Sequence, residues 1–247
     1  MEKQIWKAAS LTKKLPCPYC SIGLLKPING SFKSIKTKET LELEIEFRGQ
    51  YPWTDFYFAG ILKCNDCGDI VTTCGSWTED RQGVDITEDP QTGELKLSEP
   101  EKYFYPKYFY PNLKIFKIPG QTPDKVKDCL NQSFALYWGD VSSSINKVRT
   151  AVEYIMDSQG IPRFEIKFTV KKNRKPHRRE KRLTLHQRIN RFKTKKSELG
   201  DYIFNLKELG NVASHTNNLN DTDLLLNIYE TLEFVLINMY NKPDKID

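Results

Sequence analysis

With 247 residues, 38% of them hydrophobic and 28% charged, the chain is long enough for one large domain or two modest ones and reads as globular and somewhat polar. The most apolar stretch, Leu224 to Tyr240, is interrupted by Asn227, Glu230, Glu233 and Asn238, so no run reaches the ~20 apolar residues of a membrane span. Residues 1–15 carry charge without an apolar centre, so no secretory signal is read there and a cytoplasmic protein without a membrane partner is expected.

The formal net charge of +6 is unevenly spread. Thirteen Lys and Arg against one acid, Glu180, crowd Lys171–Lys196, a local +12 that leaves −6 for the other 221 residues (+6 less +12). A dense cation on a mildly acidic body is the electrostatic footprint of a protein that meets a polyanion.

Six cysteines are present, and four of them form two Cys-x-x-Cys pairs, Cys17/Cys20 and Cys64/Cys67, with 43 residues between the pairs. Two residues between thiolates let a tight turn aim both sulfurs at one ion, and two such knuckles complete a tetrahedral shell for one structural zinc per chain. Gly68 follows the second pair, where a positive φ is wanted, and Pro18 stiffens the first knuckle. A redox dithiol is the competing reading, but a doubled motif in a cytosolic chain favours metal, and four thiolates leave no open position for catalysis. Cys74 and Cys129 are expected as buried small side chains.

Between the knuckles, Leu41 to Phe47 alternates apolar and acidic residues, the period-2 pattern of a strand with one wet face. Trp53 to Lys63 and Ile70 to Thr73 are aromatic and β-branched, predicting two further strands. Residues 1–95 are therefore expected to form a zinc-ribbon-like antiparallel β domain whose metal anchors a sheet with little core of its own. Residues 80–100 are turn-rich. An aromatic and proline-rich connecting strap, 96–122, contains Tyr103–Pro111 (YFYPKYFYP). It reads as an extended segment packed on a neighbouring surface, with base stacking on its rings as the alternative.

From Pro123 the apolar period changes to 3.6. Thr122 is predicted to cap a first helix carrying Val126, Cys129, Leu130, Phe134 and Tyr137 on one face, with Gly139 ending it. A second, Val141 to Ser158, turns Ile145, Val148, Val152, Ile155 and Met156 inward. Thr184 caps a third, with Leu185, Ile189 and Phe192 apolar; a fourth runs from Ser197 to His215. The last, after Asn220-Asp221, is apolar nearly all round, so it lies at the centre of a bundle or faces a second copy. The fold class is α+β: the β domain is followed by an antiparallel helical bundle at 123–247 with a basic insertion at 167–183.

The order of INKVRTAVEYIM (Ile145–Met156), LTLHQRI (Leu183–Ile189), LKELGNVASH (Leu206–His215) and an acid-capped final helix resembles the HEPN-like domain family. It is most similar to a branch catalogued as a domain of unknown function and found with restriction endonucleases and other bacterial anti-phage systems. The resemblance implies a dimerising bundle. In family members that are metal-independent ribonucleases, an Arg followed after a short gap by a His does the chemistry across the dimer. His215 matches that His and Asn211 the polar neighbour of the Arg, whose own place is taken by Gly210. Lys207, Asn211 and His215 share one face at i, i+4 spacing, and so do Arg149 and Glu153 on the second helix. Asn211 and His215 serve equally as a helix terminus, and Arg149–Glu153 equally as an intrahelical ion pair. His177 reads as a solvated side chain of the basic run, and His186 shows no partner in the sequence.

The basic segment, Lys171, Lys172, Arg174, Lys175, Arg178, Arg179, Lys181 and Arg182, has too little apolar content to fold on its own account. The wet face of the next helix adds Arg188 and Arg191. Such contacts would be to phosphates, independent of sequence and steeply salt-sensitive. The expected function is a bacterial defence-type, zinc-stabilised homodimer that binds nucleic acid, RNA before DNA, without cleaving it. The alternatives are a metal-independent ribonuclease using His215, and an adaptor whose partner is another defence-system protein.

Overall fold

The computed structural model describes residues 6, 15–49, 51–82, 86–88, 95–169, 177–215 and 222–241; at 86–88, 95–97, 168–169, 177 and 211–215 only the backbone is described. The architecture is α+β, with two compact units, Glu2–Leu113 and Lys114–Asp247. Among the described residues no helix is long and apolar enough to cross a membrane.

The first unit is built on an antiparallel sheet. Strand β3 (Trp53–Cys64) pairs along one edge with β1 (Leu25–Pro27) and then with β2 (Lys33–Lys36). Its other edge pairs with β4 (Ile70–Asp80), which in turn pairs with β7 (Glu101–Tyr110). A two-stranded ladder of β5 (Ile86–Glu88) and β6 (Leu95–Leu97) lies between β4 and β7 in the chain. The strap is thus largely a strand, and its rings divide by pleat. Phe109 and Pro106 are buried and Phe104 is half-buried, while Tyr103, Tyr105, Tyr108 and Tyr110 are exposed on the opposite face. On the closed face Phe56 and Trp77 stack at 4.0 Å, and Phe104 stacks on Trp77 at 5.6 Å.

Leu41–Phe47 is not a strand. Lys38–Glu46 is a helix, α1, whose N-cap Thr37 accepts a hydrogen bond from the Thr40 N–H through its side chain. Glu39 in the first turn and the Lys38–Glu42 pair add to it. Leu and Glu are strong helix formers, and cap plus propensity outweigh the alternation. The cost is visible: a period of two wound into a helix leaves Leu41 and Ile45 exposed. Cys74 also departs from expectation. It lies on the open face of β4 and is exposed, whereas Cys129 is buried.

The second unit holds five helices among the described residues: α2 (Asp124–Leu136), α3 (Val141–Ser158), α4 (Leu185–Lys193), α5 (Ser197–His215) and α6 (Thr222–Tyr240). Pro123, not Thr122, is the N-cap of α2. Thr184 caps α4 in a full capping box with Gln187. α3 is central, meeting α2, α4, α5 and α6. The apolar face predicted for it, Ile145, Val148, Val152, Ile155 and Met156, is buried throughout. α6 buries Leu225, Leu226, Ile228, Tyr229, Leu232, Val235 and Leu236 and leaves Phe234 and Ile237 exposed. In the core, the Tyr229 hydroxyl lies 2.7 Å from Ser133 Oγ and 2.8 Å from Ser144 Oγ, joining α6 to α2 and α3. Phe116 and Phe134 pack edge-on against the same ring.

Between α3 and α4 the chain makes a β-hairpin, β8 (Phe164–Thr169) with β9 (His177–Arg182). Half of the basic segment is therefore ladder, not loop: β8 supplies the backbone partners that the charged residues could not supply for one another.

Candidate metal centre and nucleic-acid interface

The four knuckle cysteines converge. Cys17 Sγ lies 3.7 Å from Cys67 Sγ, Cys20 Sγ lies 3.7 Å from Cys64 Sγ, and all four sulfurs fall within 4.8 Å of one another. A tetrahedron with metal–sulfur bonds of about 2.3 Å has edges of about 3.8 Å, so the spacing fits a metal ion at its centre. The first pair precedes β1, and the second spans the turn from β3 to β4, so the site clamps one end of the sheet. Backbone groups support the sulfurs: the Gly23 N–H donates to Cys20 Sγ at 3.3 Å and the Asp66 N–H to Cys64 Sγ at 3.4 Å.

Each knuckle turns through a left-handed residue, Ser21 at φ 59° and Gly68 at φ 80°. Gly68 was legible from its place after the pair; Ser21 was not. Asn65 ties the knuckles together, its N–H donating to Leu24 O at 3.0 Å and its Oδ1 accepting from the Leu24 N–H at 2.7 Å. Gly23 is a further requirement that the spacing did not reveal: a Cβ there would stand 2.3 Å from Cys64 Sγ.

The four thiols act on one another's ionisation. At Cys64 burial opposes ionisation, but the N–H groups of Asp66 and Cys67 and the neighbouring thiols outweigh it, bringing the pKa down to about 7. At Cys67 the Asp69 backbone favours the thiolate, yet burial and the three other sulfurs push the group up to about 12. Four thiolates this close can coexist only around a positive charge.

The basic surface divides into paired and unpaired cations. On β9, Arg178, Arg179, Lys181 and Arg182 are exposed, and none makes an ion pair among the described residues. Lys171, Lys172, Arg174 and Lys175 lie outside the described residues. α4 behaves differently. Arg191 pairs with Glu165 and Lys193 with Asp201. Arg188 is not on a wet face: it is 1% exposed. Its guanidinium reaches the Glu153 carboxylate, Asp157 Oδ1 at 2.6 Å and Ile161 O at 2.9 Å. It sits one turn before Phe192 and beside Ile189, both buried, so its position belongs to the apolar stripe of α4.

Glu153 is thereby engaged by Arg188 rather than by Arg149. Arg149 makes no ion pair among the described residues, and its aliphatic stem lies 3.4 Å from where a Cβ on Gly210 would stand. This sets α3 against α5 at the position preceding Asn211 and His215, whose side chains lie outside the described residues. Lys207 is occupied by Glu208 and the face of Phe204. His186 has partners after all, Asn190 at 3.1 Å and the ring of Phe204. The His177 side chain is outside the described residues.

Two family models match the chain. One, a domain of unknown function (DUF8608), is similar over residues 8–109, and the other, a domain of unknown function (DUF4145), over residues 131–247. No curated protein and no solved structure matches it. The two similarities meet the sheet unit and the helical unit in turn.

Proposed function

We propose that the chain is a zinc-stabilised nucleic-acid-binding protein of the bacterial defence type, self-associating through its helical unit and gripping RNA with the β8–β9 arm. One observation carries this reading: four cations on β9 are exposed and make no ion pair among the described residues, while those on α4 are largely consumed by acids of the same unit. A charge run that served only solubility would not need this separation. The arm's hairpin fixes the backbone, so its cations meet phosphates at lower entropic cost than a free loop would. The exposed Phe234 and Ile237 of α6 support self-association, and one zinc per chain in the Cys17/Cys20/Cys64/Cys67 cage supports the sheet.

The test is a salt titration of RNA binding. Neutralising Arg178, Arg179, Lys181 and Arg182 together should lower the slope of log affinity against log salt by roughly 3, at about 0.7 per single-strand phosphate contact. An unchanged slope removes the arm from the interface. Retained biological function with RNA binding abolished identifies the adaptor alternative.

The second reading, a metal-independent ribonuclease, is favoured by the Arg149–Gly210 approach. Where the resemblance puts an Arg on the His-bearing helix, Arg149 of α3 supplies a cation beside the same turn. His215 would handle the proton and Arg149 the phosphate charge. Cleavage of labelled RNA without divalent metal, lost in both His215→Ala and Arg149→Ala, would establish it; RNA left intact by the parent protein rules it out.

A further inference from the structure

The open face of the first unit's sheet has an order that core packing does not require. Reading across the strands, one row is Lys33, Ala59, Cys74, Tyr108; the next is Ile35, Tyr57, Ser76, Tyr105. Toward the metal end, Ile61, Thr72 and Tyr110 follow, then Lys26, Lys63 and Ile70. Ala59 on β3 and Thr72, Cys74 and Ser76 on β4 thus leave a trough beside the column of tyrosines on β7, with Tyr57 and Ile61 rising from β3 on either side of Ala59 and Lys33 at the β2 edge. A depression of about 380 Å³ opens there, lined among others by Lys33, Ala59, Ile61, Thr72, Cys74 and Tyr108, within the roughly 300–1,000 Å³ of ligand clefts. Tyr57, Tyr105, Tyr108 and Tyr110 are 64%, 50%, 48% and 64% exposed. Lys26, Lys33 and Lys63 are exposed and make no ion pair among the described residues. The acids of this face, Asp55, Asp80 and Glu101, collect at the other end, where Thr78 and Tyr103 bind two of them.

We propose that this face is a stacking platform for the unpaired bases of single-stranded RNA, with phosphates held at its lysine end. Flat rings standing on a sheet give every base a π-surface without demanding a sequence, and hydroxyls of Thr72 and Ser76 line the floor between them. Charge complementarity selects the occupant. An apolar protein surface would leave three lysines beside the trough unpaired, whereas a polyanion satisfies them as it stacks. The platform deepens the function proposed above: it takes the RNA identity from that reading, but uses different residues in a different unit.

The experiment measures anisotropy of a short labelled oligouridylate, and of its duplex with oligoadenylate, on the full chain. The variants are Tyr57→Leu with Tyr108→Leu, Lys33→Ala with Lys63→Ala, and the four-residue arm neutralisation, each checked for unaltered metal content. The parent is expected to prefer the single strand. The tyrosine pair should weaken it roughly tenfold or more while leaving the salt slope unchanged. The lysine pair should lower that slope by about 1.4. Tyrosine variants that bind like the parent, while the arm variant does not, overturn the platform and leave the arm standing. The reverse result upholds the platform and removes the arm. If the tyrosine changes instead split a dimer with oligouridylate affinity intact, the face is a contact between copies and the proposal fails.

Discussion

Arg188 shows how far a single side chain departs from its sequence context. It stands in the densest cationic stretch of the chain, yet among the described residues it is the largest fully buried side chain, bridging α4 to the Glu153 and Asp157 carboxylates of α3. Arg188→Ala should cost about 3 kcal/mol, toward the low end for a broken buried pair because both carboxylates keep about a third of their exposure. Denaturant melting checks the loss, and RNA affinity of the variant that still folds should match the parent. Asp157 carries the pH dependence of the same cluster. The Arg163 guanidinium, against a burial penalty, and then Arg188 hold its carboxyl below the usual 3.8. A depressed folded pKa means a contribution fully present above about pH 4 and lost as pH falls through the lower folded value. Denaturation midpoints measured between about pH 5 and pH 2 should drop more steeply for the parent than for Asp157→Asn. The position of Arg188 on the Ile189–Phe192 stripe was the legible clue; the charge run around it concealed the clue.

At the scale of elements, what could be read followed the strength of local constraint. α3 and α4 were visible because a 3.6 period, the Thr184 cap and Gly160 agree with one another. β3 and β4 were visible through β-branched and aromatic content. Leu41–Phe47 reads as a strand but folds into a helix and its C-cap because its hydrophobic pattern and its propensity disagree, and the Thr37 cap decides the matter. β9 was not legible as a strand because its pairing partner, not its own composition, makes it one. Within the knuckles the four cysteines positioned to hold a metal ion were fully legible, since thiol spacing is a chemical constraint, while Gly23 depends on a fold-level approach to Cys64. Gly23→Ala should therefore weaken metal retention although it removes no ligand, measurable as faster chelator-induced release. Thr37→Ala should cost about 1 kcal/mol and leave metal content unchanged.

For the whole molecule, two units with separate cores imply separable responses. Metal analysis should return about one zinc per chain, lost in Cys64→Ser. Stripping the ion should loosen the sheet unit while the helical circular dichroism of the second unit persists; loss of both together would show the units to be one cooperative block. The division into a β-rich half followed by a helical half was evident from the change of period at Pro123. Its boundary was not, because the aromatic strap belongs to the sheet, and only register with β4 reveals that.

The buried phenol that links three helices also makes the molecule a reporter on itself. Tyr229 and Tyr137 have their ionisation driven upward chiefly by burial, whereas at Tyr103 the Glu101 carboxylate does so. In alkali, Tyr229 and Tyr137 should keep their protons until their unit opens. Their share of the phenolate absorbance, identified as the part lost in Tyr137→Phe and Tyr229→Phe, should then appear only as the helices come apart. That step times the rupture of the helical core without any label attached to the chain.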